Sequence, residues 1–111
     1  MPEDRDALLA RLEELDAAFV ETEASLRRAR SGYKRYARRI AKGVPLEEVF
    51  DGLLPEERVS VNAQLDLLEQ ARHRVRLATV ALGLDQGLSL GRLGRLMGVS
   101  RQLTGRIARE L

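Results

Sequence analysis

Ten residues set the terms for this chain: Leu8, Leu12, Leu15, Phe19, Thr22, Leu26, Ala29, Tyr33, Tyr36 and Ile40 follow one another at intervals of 4, 3, 4, 3, 4, 3, 4, 3 and 4. Apolar residues repeating in sevens lie along one side of an α-helix and mark a helix that packs lengthwise on another. Only Thr22 in the row is polar. The row predicts a helix over Glu3–Lys42. Pro2 and the acids Glu3, Asp4 and Asp6 suit its positive N-terminal end. Arg35, Arg38, Arg39 and Lys42 suit its C-terminus, with Gly43 as the stop and Pro45 beyond it. Left alone, such a helix would expose an apolar stripe about 50 Å long. It therefore packs either on a second copy of itself or on the third segment of its own chain. Leu8, Leu12, Leu15, Phe19, Leu26, Tyr33, Tyr36 and Ile40 are the candidate dimerisation residues. Ala29 and Gly32 thin the row, so a kink or a close helix approach is expected there.

Three segments follow from the punctuation of the chain. Residues 1–43 are the heptad helix. Residues 44–84 hold a short corner helix within Val44–Leu54 and a second long helix over Pro55–Leu84. Pro45 with Glu47 and Glu48 starts the corner helix, and Leu46, Val49, Phe50, Leu53 and Leu54 form its apolar face. Gly52 with Pro55 ends it. The long helix carries a seam of Val61, Leu65, Leu68, Arg72, Val75, Thr79 and Leu82. It is long enough to return along the first helix as an antiparallel hairpin. Residues 85–111 hold two short helices, Leu90–Met97 behind the N-cap Ser89 and Arg101–Leu111 behind the N-cap Ser100, separated by Gly98.

The chain has no Cys and one His, His73, which excludes disulfides and a Cys-based metal site. Sparse aromatic and β-branched residues disfavour a sheet, and the wealth of Leu, Ala, Arg and Glu favours helix. The expected fold class is all-α. Charge interrupts every apolar stretch, so no membrane span is expected, and a cytoplasmic protein fits best. The net charge of +2 conceals blocks: residues 1–26, 27–42, 43–71 and 72–111 carry −6, +8, −6 and +6. Blocks of alternating sign match either within one fold or between two chains, and the last basic block is also placed to meet nucleic-acid phosphates. No His, carboxylate and nucleophile set, phosphate loop or acidic triad occurs, so an enzyme is not expected, and no cofactor or metal is implied.

The last stretch, SLGRLGRLMGVSRQLTGRIAREL, carries the chemistry. Gly94 offers a small surface four residues before Gly98, and Gly98 tolerates a left-handed turn. Leu90, Leu93, Met97, Val99, Leu103 and Ile107 form an inward face expected to close on Ala78 and Leu82. The outward face of the last helix carries Ser100, Arg101, Gln102, Gly105, Arg106 and Arg109. Arg pairs bidentately with guanine and Gln with adenine in the major groove, which suits Arg101 and Gln102 in the first turn. Arg106, Arg109, Ser89, Arg92 and Arg95 suit the phosphate backbone.

These residues resemble the helix-turn-helix of bacterial and phage transcriptional regulators. Gly94, Gly98, Val99, Ser100 and Ile107 fall on that family's structural positions, over about a fifth of the chain. The resemblance implies that Ser100, Arg101, Gln102, Gly105 and Arg106 face bases and phosphates of double-stranded DNA. Thr104 departs from the pattern, which has an aliphatic residue in that slot, and its hydroxyl needs a backbone acceptor. A shorter likeness exists to coiled-coil anti-sigma proteins that bind cyclic di-GMP. It rests on Glu21, Ser25 and Arg28 and fails at Gly32 and Tyr36.

The expectation is a homodimeric, sequence-specific transcriptional regulator: a coiled-coil helical hairpin with a C-terminal helix-turn-helix. Two alternatives remain. One is a helical adaptor, anti-sigma or sigma-like and open to ligand control, whose coiled coil binds a protein partner. The other is a nucleoid-type DNA binder without sequence preference.

Overall fold

The computed structural model describes residues 2–50 and 53–111, which form five helices and no strand. They are α1 (Pro2–Ala41), α2 (Leu46–Val49), α3 (Leu53–Asp85), α4 (Leu90–Met97) and α5 (Arg101–Arg109). The chain is all-helical, as composition predicts. The corner helix is a single turn, and its expected stop at Gly52 lies outside the described residues. Helix α3 begins two residues before Pro55. Proline sits there without loss, because the first amides of a helix have no intrahelical acceptor. Helix α5 ends at Arg109, two residues short of the expected Leu111.

Two compact units divide the chain, Ala17–Leu68 and the remainder, so both long helices contribute to both units. The sequence segments, drawn at helix ends, cut the chain elsewhere.

In the Ala17–Leu68 unit, α1 meets α3 through Thr22, Ser25, Gly32 and Tyr36, all buried. Thr22 donates to its own helix at Ala18 O (2.7 Å) and accepts from Gln64 Nε2 (3.1 Å). Tyr36 donates to Glu57 Oε2 (2.9 Å). Residue numbers rise on one helix as they fall on the other, so the paired stretches run antiparallel. A Cβ at Gly32 would come within 2.8 Å of Glu57 Oε1, the tip of an α3 side chain. Tyr36 also stacks edge-on against Tyr33 and Phe50, at 5.7 and 5.1 Å, and Val49 of α2 is buried.

The buried seam of α1 differs from the expected one. The common row Leu8, Leu15, Thr22, Ala29 and Tyr36 is wholly or half buried, as expected. The second half of the intrachain seam is Arg11, Ala18, Ser25 and Gly32, a mostly small row. The large row Leu12, Phe19, Leu26, Tyr33 and Ile40 stays 43–50% exposed. On that side α3 presents the polar Gln64 and Glu57, which bond Thr22 and Tyr36. On α3 likewise, Gln64 is turned inward where Leu65 is expected, and Ala71, expected on the widened apolar face with Leu67, Ala78 and Ala81, is buried, whereas Leu65, Leu67 and Arg72 are exposed.

The other unit is built on Val80, Leu93 and Ile107, with Leu77, Leu88, Met97, Leu103 and Ala108 packed around them. Val80 and Leu77, rather than the expected Ala78 and Leu82, anchor this core. Every residue from Val75 to Leu82 is at least half buried, so α3 has no single inward stripe here. Gly83, inside α3, lies against the core: a Cβ there would overlap Leu93 Cδ2. Arg74 Nε reaches Glu14 Oε2 of α1 (3.5 Å), and Glu14 also accepts from Arg11.

Candidate nucleic-acid interface

Local chemistry fixes the α4–α5 pair at each joint. Ser89 Oγ accepts from Arg92 N (3.1 Å) and starts α4. Gly98 ends it with φ of 72°, in the left-handed region that a Cβ disfavours. Gly98 N then donates to Arg95 O and Val99 N to Gly94 O (2.9 Å), the Schellman pattern that satisfies the last carbonyls. Ser100 Oγ accepts from Leu103 N (3.0 Å) and starts α5 two residues later. With so short a connection, the phase of α5 is set by these bonds.

Inside the pair the helices touch closely. A Cβ at Gly94 would stand 2.8 Å from Val99 O and 3.0 Å from Thr104 Oγ1. Thr104 is fully buried, and its hydroxyl donates to Ser100 O (2.9 Å), so the departure from an aliphatic residue is accommodated by the backbone acceptor it requires. His73 Nε2 lies 2.6 Å from Glu110 Oε2, joining α3 to the C-cap of α5, and is an ion pair when the imidazole is protonated.

The burial of Thr104 and Ile107 turns the opposite side of α5 to solvent. Arg101, Gln102, Arg106 and Arg109 are exposed there, with Gly105 half buried between them. Together with Leu90 of α4 they line an open concavity of about 510 Å³. Five of the candidate residues are thus brought into one surface: Arg101, Gln102, Gly105, Arg106 and Arg109. Ser89, Arg92, Arg95 and Ser100 are exposed but outside that concavity, and the oxygens of both serines are engaged as caps. Leu90, read from sequence only as core, forms part of the wall.

The electrostatics of the surface are one-sided. Among the described residues, none of Arg92, Arg95, Arg101, Arg106 and Arg109 has an ion-pair partner. Helix N-termini carry partial positive charge and ordinarily attract acids. Neither α4 nor α5 has an acid in its first turn, and α5 opens on Arg101. The α5 N-terminus and the guanidiniums of Arg101, Arg106 and Arg109, which line one concavity, attract anions there.

A second concavity, of about 410 Å³, lies in the Ala17–Leu68 unit and is lined by Ser25, Arg28, Ser31, Arg35, Glu57 and Ser60 among others. Of this lining the sequence picks out Ser25 and Arg28 as a ligand-like pattern, and Ala29, Arg35 and Val61 only as seam and helix-end residues. The remaining residues become neighbours through the pairing of α1 with α3, which spacing along one helix does not reveal. Tyr36 beside it is pushed above the usual tyrosine range, first by burial and then by its bond to Glu57. Among the described residues no group of His, Cys, Asp and Glu could hold a metal, and no helix is long and apolar enough to cross a membrane.

No family model, curated protein or solved structure matches the chain.

Proposed function

We propose that this protein is a cytoplasmic, dimeric, sequence-specific DNA-binding regulator and not an enzyme. In this reading α4 and α5 form a helix-turn-helix at the end of a helical hairpin, and α5 enters the major groove. One observation carries the reading: a capped α5 whose outward row is Arg101, Gln102, Arg106 and Arg109, its arginines without an ion-pair partner among the described residues while Glu110 is engaged by His73. Arg101 and Gln102 lie in the first turn, where a recognition helix meets base edges, and their side chains suit guanine and adenine. Arg106, Arg109, Arg92 and Arg95 neutralise phosphates, and the half-buried Gly105 keeps the centre of the surface low enough for a close approach. Two linked readers gain affinity through effective concentration, which is the reason for a dimer.

Fluorescence anisotropy with a labelled duplex at rising salt tests the reading. Binding at low salt should weaken linearly in log–log form, with a slope that counts the phosphates neutralised. No binding at 50 mM salt would reject it.

A second reading, a helical adaptor for a protein partner, draws support from the exposed row Leu12, Phe19, Leu26, Tyr33 and Ile40. Under it, alanine at the outward arginines leaves function intact, whereas breaking the seam at Leu12 or Leu15 abolishes it.

A further inference from the structure

We infer that α1 pairs antiparallel with α1 of a second copy through Leu12, Phe19, Leu26, Tyr33 and Ile40, while its neighbouring row stays on α3 of its own chain. The inference rests on the dimeric part of the proposed function and specifies what makes the dimer.

The row is a strict repeat of seven, all large and apolar, and all 43–50% exposed. Hydrophobic residues scattered singly on a surface are ordinary; a continuous line of five along one helix is not. In the Ala17–Leu68 unit a groove of about 280 Å³ runs beside it, lined by Leu26, Ala29 and Tyr33 of α1 and by Val61 and Asn62 of α3. Arg58 lines the same groove, and Leu65, seven residues later on that row of α3, is also exposed at 43%. The shape and the lining suit a helix laid along α1.

Charge selects the occupant and its direction. Residues 27–42 hold eight basic side chains and no acid, and among the described residues none of the eight has an ion-pair partner. The acidic block that follows, residues 43–71, forms no ion pair with them among the described residues. Residues 1–26 hold eight acids, and among the described residues Asp6 and Glu14 are the ones in ion pairs. A parallel pair would set acid on acid and base on base along its whole length. An antiparallel pair centred near Leu26 sets the acidic half of each α1 against the basic half of the other. The apolar row is symmetric about the same residue, so Leu12 meets Ile40 and Phe19 meets Tyr33. A strip about 43 Å long and one helix wide covers roughly 1,000 Å² over two chains, the low end of specific pairs, which fits an interface assisted by charge.

The chain has no cysteine, so disulfide trapping reads the geometry directly. Full-length Leu12→Cys and Ile40→Cys proteins are oxidised separately and as a mixture, with wild type sedimented at tens of micromolar. Circular dichroism confirms that each variant is folded. The expected result is a wild-type dimer, a mixed Leu12→Cys/Ile40→Cys disulfide, and little cross-linking of either variant alone. A wild-type monomer, efficient cross-linking of each variant to itself, or a dimer with no cross-link in any combination would overturn the inference. No DNA is present, so this result is independent of whether α5 reads DNA.

Discussion

Gly94 and the carbonyl of Val99 lie so close that a single added carbon at residue 94 would stand 2.8 Å from that oxygen. The oxygen belongs to the turn that ends α4 and leads into α5, so it cannot rotate away as a side chain would. This contact lets the two short helices cross with α5 held in one phase, and the phase decides which side chains face outward.

Gly94→Ala and Gly105→Ala therefore have opposite signs. Each replacement favours helix by about 1 kcal/mol. At residue 105 the nearest atom to a new Cβ is Leu90 Cδ1 at 3.9 Å, so that variant should gain stability. At residue 94 overpacking of about 2–3 kcal/mol outweighs the gain. Urea unfolding followed by circular dichroism checks both.

Gly83→Ala is expected to be worse than its place near a helix end suggests. The added Cβ overlaps the buried Leu93, one of three residues at the centre of this core. A loss of about 2–3 kcal/mol is expected from the same unfolding measurement, since Leu93 is buried and must shift within the core to make room.

Ser100→Ala removes the oxygen that accepts from Leu103 N at the start of α5. The expected cost is about 1 kcal/mol of stability. Ser100→Asp should restore the cap while adding a negative charge beside Arg101, so it should recover stability but weaken DNA binding. The two readouts together separate the structural role of this serine from its place on the surface.

Alkaline pH should loosen the Ala17–Leu68 unit through Tyr36. Its folded value lies above the usual 10.0, held up by burial and by the bond to Glu57. The stability it contributes is complete below the unfolded value, and is lost as pH rises through that value toward the folded one. Tyr36→Phe should be less stable at neutral pH, because Glu57 loses its donor, yet should lose less on going from pH 9 to 11. Glu14 works in the opposite direction. Arg11 holds its carboxyl below the usual 4.5, so its contribution is present above that value and fades as pH falls. Parallel denaturation series across pH, with Glu14→Gln as the acid-side control, test both signs.

The α4–α5 pair was the most legible part of the chain because its signals are local. A serine cap, a glycine with positive φ and a second serine cap leave almost no freedom in where the helices start, and both start at the expected residues. Capping by Ser100 also fixes which side of α5 faces out, so Arg101, Gln102, Gly105, Arg106 and Arg109 could be grouped from the sequence. The partner of α1 was less legible. Leu12 and Leu15 are chemically alike, yet one is exposed and the other half buried. The buried row beside Leu15 is the one with Ala18, Ser25 and Gly32, small residues that a hydrophobic pattern passes over in favour of the row of Leu12. Val80 escaped for a related reason: α3 is covered on most sides near residues 75–82, and a helix surrounded in this way has no periodic signal to read.

Selection from a randomised duplex pool, with wild type beside Arg101→Ala, tests the central claim most directly. Wild type should enrich a motif with two-fold symmetry. Arg101→Ala should relax one base position in each half while losing about 1–3 kcal/mol in affinity. Binding without enrichment, or enrichment that Arg101→Ala leaves unchanged, would contradict the claim that α5 reads DNA sequence.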